Sequence, residues 1–422
     1  MRRKVTQQIK DDTASDDADT SMDEDQEVVV SLQPQEEPKK SPPESKWKNF
    51  VVRTTFTCLM IGLFALIIAA GHVVTLFFIF LVQFFMFREV VTLSTKRGLD
   101  RRLAGFRRFT GLKALKWMNW WYLFATLFFF HGLFLMPQLR NIPYVGHFMK
   151  YHSFYSLMLY VLGFVMFVLS LQRGKLRGQF SQFAFTHMAL LLIVVLSSAL
   201  VRNVFHGMIW FLLPCSLIVI NDICAYLFGF FMGRTPLIKL SPKKTWEGFI
   251  GGLFSTMVGA FFLARFLSMF DHMICPKNNL VMFERLSCPR PAVFIPQAYH
   301  VPSVISSLVP FLGPEVTIMP FQIHAMALGL FASIIAPFGG FFASGFKRAF
   351  DLKDFGSSIP GHGGITDRMD CQSLMGFFSW VYFINFVQES IVPLDEILEM
   401  VFSLSQNDKM ELYNALQKHL EL

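Results

Sequence analysis

The chain reads as an all-α polytopic membrane protein with about nine transmembrane helices and a charged site at the cytosolic membrane surface. Three observations predict this. Of its 422 residues, 53% are hydrophobic, 50 are phenylalanine and only 16% are charged, where soluble domains carry roughly 25% charged residues. Apolar runs of about 20 residues, the length that crosses the hydrocarbon core, recur along the chain. One loop, 344–370, sets four basic and four acidic residues between two such runs.

Residues 1–48 hold twelve acidic and eight basic residues with almost no aromatics. Such a segment buries too little apolar surface to offset its ordering entropy, which predicts a disordered cytosolic tail with no removable signal peptide. The basic character of the whole chain, +8 at pH 7, therefore belongs to the membrane part. Residues 54–87 are all uncharged. That stretch is too long for one crossing of about 30 Å, so two spans turning near Gly71-His72 are expected. Further spans are expected at 117–136, 153–172, 179–201, 204–221, 248–270, 322–343 and 371–391. Residues 223–240 span, re-enter or lie on the membrane.

Lys and Arg bias sets the orientation. Segments 88–116, 173–178 and 234–247 carry net charges of +7, +3 and +3, against +2 for 137–152 and 0 for 271–321. The basic loops, the N-terminus and loop 344–370 are thus expected in the cytosol. In 88–116 the arginine pairs alternate with Leu and Phe, which fits either an interfacial helix on anionic lipid or a topology signal. The apolar spacing of 393–422 predicts a C-terminal helical extension. Six scattered cysteines form no zinc pattern. Cys275 and Cys288 share one polar loop, either as a disulfide in an oxidising lumen or as two thiols.

Loop 344–370 carries the chemistry. Pro360-Gly361-His362-Gly363-Gly364 precedes the last span. Glycines let a ligand approach backbone N–H groups closely, and a helix N-terminus favours phosphate. Asp367 and Asp370 lie three apart on the first turns of that helix, hence on one face. Two hard carboxylates beside phosphate oxygens suit Mg²⁺. Helix capping explains acids at that position equally, but not the nearby Lys347, Arg348 and Lys353. In the segment Ser241 to Gly248, Lys243 and Lys244 either meet phosphates or flank a span, and Ser241 and Thr245 are potential donors. Asn221-Asp222 closes an apolar run, and an acid at membrane depth marks a functional site unless it caps the next helix. His131, His187 and His206 read as packing residues.

At these residues the chain resembles the phosphatidate cytidylyltransferases, also called CDP-diacylglycerol synthases, over about residues 50 to 390. The family signature runs Ser, an apolar position, Lys-Arg, then Lys-Asp, then Pro-x-His-Gly-Gly and Asp-Arg-x-Asp. Ser344, Phe346, Lys347-Arg348, Lys353-Asp354, Gly356, Pro360, His362-Gly363-Gly364, Ile365, Asp367-Arg368 and Asp370 fill it without departure. The resemblance extends to Asp222, Ala225-Tyr226 and the segment containing Glu247. It implies a cytidylyltransferase domain over 49–392 that condenses CTP with phosphatidic acid, using Mg²⁺, to give CDP-diacylglycerol and pyrophosphate. Asp367 and Asp370 would then hold the metal, with Asp222 and Asp354 as further candidates. Lys347, Arg348, Lys353 and Arg368 would clamp phosphates. The Gly363-Gly364 amides would hold part of the triphosphate, and His362 would donate to a phosphate or brace the turn. Ser241, Lys243, Lys244, Thr245, Glu247 and Ser344 complete the expected substrate contacts. The tail and the C-terminal extension resemble the eukaryotic branch, which implies the endoplasmic reticulum and a homodimer. Membrane lipids are expected partners and nucleic acid is not. A CDP-alcohol phosphotransferase would show a DG-x2-AR pattern, which is absent. A transporter would place its site at the midplane between repeated halves.

Overall fold

The computed structural model describes residues 43–93, 111–139, 142–238, 241–277, 279–283, 286–300, 315–350, 352–359, 363–388 and 394–420. The account below concerns the compact unit Lys48–Leu422. Most of the 1–48 tail and of the arginine-rich 88–116 segment lies outside the described residues.

The architecture is all-α. Helices α1 (Pro43–Ala70) and α2 (His72–Leu93) meet at Gly71, as the sequence predicts. Gly71 takes φ +98°, the left-handed region that favours glycine, and Thr75 Oγ donates to its carbonyl. Helix α3 (Gly111–Leu139) is followed by the short α4 (Val145–Lys150) and by α5 (His152–Leu169). Helix α6 (Leu176–Leu190) runs through a π-helical turn, Leu191–Val195, into α7 (Leu196–His206). The expected break near Arg202 does not occur. Arg202 lies inside α7, and the chain turns instead at Gly207, with φ +132°.

Helix α8 (Ile209–Met232) continues well past the expected end near 221, and a hairpin follows it. Strands β1 (Pro236–Ile238) and β2 (Ser241–Thr245) pair antiparallel and lead into α9 (Trp246–Leu267) and the one-turn α10 (Asp271–Ile274). Cys275 and Cys288 form a disulfide in the loop beyond. A second hairpin, β3 (Gln297–His300) with β4 (Glu315–Ile318), precedes α11 (Pro320–Ile334). Helix α12 (Pro337–Ala349) completes the same apolar run. Helix α13 (Thr366–Phe386) carries the end of the signature, and α14 (Leu394–Ser403) and α15 (Gln406–Leu420) follow.

Among the described residues, seven helical stretches are long and apolar enough to cross a membrane. The other two expected spans fall on α1, whose apolar part is Thr54–Ala70, and on α13. Lipid offers no hydrophobic drive for helices to associate, so small residues and polar side chains hold the bundle. Helices α8 and α9 approach through glycine. A Cβ on Gly248 would stand 2.5 Å from the Ala225 carbonyl, and one on Gly252 would stand 3.1 Å from Ala225 Cβ. Pro214 inside α8 has no N–H for the Trp210 carbonyl four residues back. Ser379 Oγ on α13 donates to that carbonyl instead, at 3.1 Å. Asn203 Nδ2 reaches the Gly376 carbonyl (2.9 Å), and Gln372 Nε2 reaches the Cys215 carbonyl (3.1 Å). Three side-chain-to-backbone bonds therefore fix α13 against α7 and α8. Ser379→Ala is expected to cost about 1 kcal/mol, read as a drop of a few degrees in the thermal midpoint of the detergent-solubilised protein.

Candidate active site

Five elements converge around the signature. Helix α12 packs closely on the start of α13 because two glycines face it. A Cβ on Gly339 would stand 2.9 Å from the Asp370 carbonyl, and Gly340 lies against Cys371 Sγ. The approach brings Lys347, in the last turn of α12, to Asp367 in the first turn of α13, with Nζ 2.6 Å from Oδ1. Lys347 also lies over the Phe355 ring, with Nζ 5.4 Å from its centroid.

Asp367, expected to share a metal with Asp370, has both oxygens engaged by the protein. Its Oδ2 accepts from the Phe355 N–H (2.9 Å) and the Gly364 N–H (3.1 Å). Asp367 and Lys347 are only 7% and 14% exposed, so this is an internal pair that closes loop 352–365. The Gly364 amide, expected to cradle phosphate, thus already serves a carboxylate. Gly363 takes φ +83°, and a Cβ there would stand 3.4 Å from the Asp354 and Asp367 carboxylates. These two glycines make room for the protein's own acids.

A second acid missed in the sequence explains the rest of the turn. Glu89, near the end of α2, is 8% exposed. It accepts from Ser358 Oγ (2.5 Å), the Ile365 N–H (3.0 Å) and the Thr366 N–H (2.9 Å). The start of α13 has no cap from its own side chains, and Glu89 supplies one from another helix. The available signal was an acid next to a long apolar run, which is costly at membrane depth.

Asp370 turns the other way. Burial pushes its carboxyl up from the ordinary value; the negative charge of Asp222 adds to this, while the Cys371 N–H (2.8 Å) and Lys347 oppose it. Asp222 lies in the interior of α8, ten residues before its C-terminal end, or about 15 Å at 1.5 Å per residue. It therefore does not close an apolar run. Lys244 and Arg368 act electrostatically on Asp222. Lys244 also stands over the Phe341 ring, 4.8 Å from its centroid. The structure thus groups Asp222, Lys244, Lys347, Arg368 and Asp370.

Other expected contacts take structural positions. Thr245 Oγ accepts from the Gly248 N–H (3.2 Å) and caps α9. Glu247 accepts from the Thr235 hydroxyl and N–H, which fixes the hairpin. Ser241 pairs with Ile238 across the β1–β2 turn. Arg348 Nη1 donates to the Leu352 carbonyl (3.3 Å). Ser344 is half-buried on α12, and Lys353 and Asp354 are exposed. His362 and the Lys243 side chain lie outside the described residues.

Two carboxylates, Asp222 and Asp370, are the acids available here to a divalent cation. Among the described residues no three His, Cys, Asp or Glu side chains gather as a metal-holding group, whereas Asp222 and Asp370 are two like charges held close enough to repel. Mg²⁺ typically takes one or two carboxylates and fills its remaining positions with phosphate and water.

Comparison with known proteins places the chain in a family. The sequence model of the cytidylyltransferase family matches residues 51–386. The chain is 44% identical over 386 residues to phosphatidate cytidylyltransferase 1 of Arabidopsis thaliana, covering 89% of each chain. It is 43% identical over 382 residues to phosphatidate cytidylyltransferase of Caenorhabditis elegans, covering 89% of this chain and 79% of that one. With phosphatidate cytidylyltransferase 2 of Homo sapiens it shares 42% identity over 384 residues, covering 89% of this chain and 83% of that one. An all-α membrane bundle, a signature loop closed by its own acids and matches over most of the length converge on one assignment: the chain belongs to the cytidylyltransferase family.

Proposed function

We propose that the protein transfers the cytidylyl group of CTP to phosphatidic acid, giving CDP-diacylglycerol and pyrophosphate. The observation that carries this reading is the cluster of Asp222, Lys244, Lys347, Arg368 and Asp370, drawn together from distant parts of the chain. Phosphatidic acid is a phosphate monoester carrying about −1.5 to −2 charge, so it is its own nucleophile and needs no covalent catalyst. Its phosphate oxygen attacks the α-phosphorus of CTP, the bond from that phosphorus to the bridging oxygen breaks, and pyrophosphate carries the electron pair away. The main obstacle is anion–anion repulsion, which positioned cations reduce.

Lys244 and Arg368, the cations that act on Asp222, would neutralise the substrate phosphates, and Lys347 holds Asp367 so that α13 begins at a fixed point. Asp222 and Asp370 would hold Mg²⁺, which when bound supplies charge neutralisation and alignment of phosphate oxygens. The resemblance also supports residence in the endoplasmic reticulum with the site facing the cytosol. The disulfide supports the same orientation: it follows the end of α9 opposite Lys244, as an oxidising lumen requires.

Purified protein supplied with CTP, phosphatidic acid and Mg²⁺ is expected to release pyrophosphate, with release lost when any one is omitted. Release without phosphatidic acid, or none from folded protein, would overturn the reading. Mg²⁺ alone is also expected to raise the thermal midpoint of the wild type, by about 2.7 kcal/mol of stabilisation at a hundred times its dissociation constant. An unchanged midpoint in Asp370→Asn would tie that gain to the site.

A further inference from the structure

We infer that Glu89 is a positioning residue that sets where α13 begins, and with it the aim of Asp370 and Arg368. Glu89 belongs to α2, far in sequence from the signature, yet its carboxylate closes the signature loop on both sides. Ser358 lies on one arm of the turn, and Ile365 and Thr366 lie on the other. All three donate to Glu89. The fit leaves no slack. A Cβ on Gly356 would stand 2.8 Å from Glu89 Oε1, and one on Gly364 would stand 2.7 Å from Oε2. Thr366 Oγ adds a long bond to the Met86 carbonyl (3.4 Å), one turn earlier on α2.

Two of these donors, the Ile365 and Thr366 N–H groups, are unpaired N-terminal donors of a helix, where a negative charge is favoured. Because Glu89 occupies them, they are not a phosphate cradle. The consequence for chemistry is indirect. Residue 366 is held to α2, so Asp367 can receive Phe355, Gly364 and Lys347 at the same time. One turn on, Asp370 comes within electrostatic reach of Asp222. A carboxylate is required because every bond it makes is accepted. The isosteric Glu89→Gln would direct an NH₂ group at backbone N–H donors, leaving buried donors unmatched.

This inference rests on the cytidylyl-transfer reading for its kinetic test and adds a readout that does not. In full-length protein, Glu89→Gln is expected to lower kcat for pyrophosphate release by at least about tenfold. The Mg²⁺ concentration for half-maximal rate should rise, and the thermal midpoint should fall by no more than a few degrees, as buried donors left without an acceptor require. Hydrogen exchange should show lost protection confined to the amides of residues 355, 364, 365 and 366. Wild-type kcat and Mg²⁺ dependence in Glu89→Gln would overturn the inference. So would a lowered midpoint with unchanged turnover per folded molecule, which marks a merely structural role. If Glu89→Gln does not fold, Ser358→Ala removes one donor from the exposed arm of the loop. It should give a severalfold loss of kcat with the same shift in Mg²⁺ dependence, and wild-type behaviour there would equally overturn the proposal. A wild type that releases no pyrophosphate, with the exchange pattern still altered by Glu89→Gln, would sink the reaction and leave the positioning role standing.

Discussion

Asp370→Asn is expected to reduce pyrophosphate release by about 10³-fold or more while leaving the protein inserted and at least as stable as the wild type. The substitution keeps the shape of the side chain and removes its charge. Several kcal/mol of transition-state stabilisation is a typical contribution from a metal seat, and each 1.36 kcal/mol is a factor of ten in rate. The stability half of the prediction follows from linkage. Burial, and then the charge of Asp222, raise the Asp370 carboxyl above its ordinary value. For an acid raised in this way, the folded state binds more protons than the unfolded state between the two values. Metal-free stability therefore falls as pH climbs through that window and stays lower above it. Asparagine removes that loss, so the variant should melt at or above the wild-type midpoint at neutral pH in the absence of Mg²⁺. Turnover within tenfold of the wild type would remove Asp370 from the site.

The same residues show what the sequence could disclose. Lipid-spanning helices are legible because each must be apolar over its own length, and Gly71 was legible because a turn between two apolar helices needs a residue that tolerates φ +98°. The place of Arg202 is not legible for a related reason. A lone charge inside an apolar run suggests a loop, yet Arg202 lies over the Phe134 ring within α7, 5.4 Å from its centroid. The length of α8 was hidden by Asp222, whose cationic neighbours come from β2 and α13 and so cannot be seen locally. The glycine-rich turn and helix N-terminus read in the sequence as a cradle for phosphate, and in the structure their N–H groups meet the carboxylates of Asp367 and Glu89. Which anion sits there is a tertiary fact, because a carboxylate from α2 and a phosphate from a nucleotide satisfy the same N–H groups. Glu89 sits two residues past the uncharged run 54–87, at the head of the strongly basic segment 88–116, whose net charge of +7 hides it.

Asp367→Ala should also abolish pyrophosphate release, but with a large loss of stability that Asp370→Asn does not show. Asp367 accepts from Lys347 Nζ, the Phe355 N–H and the Gly364 N–H, and removing it strands a buried ammonium and two loop amides. Breaking one side of a buried ion pair costs about 3–5 kcal/mol, enough to lower the thermal midpoint by many degrees. The partner is the control. Lys347→Met leaves Asp367 two backbone donors and should cost less, and the double variant Asp367→Ala with Lys347→Met should be more stable than Asp367→Ala alone, because no unpaired ammonium remains. Mg²⁺ separates a loop-holding acid from a metal ligand. If Asp367 organises the loop, a partly conservative Asp367→Asn that still folds should keep most of its Mg²⁺-induced rise in midpoint, while Asp370→Asn loses it. The reverse pattern, with Asp367→Asn melting like the wild type but no longer responding to Mg²⁺, would return Asp367 to the metal and require the Lys347 pair to open when nucleotide binds.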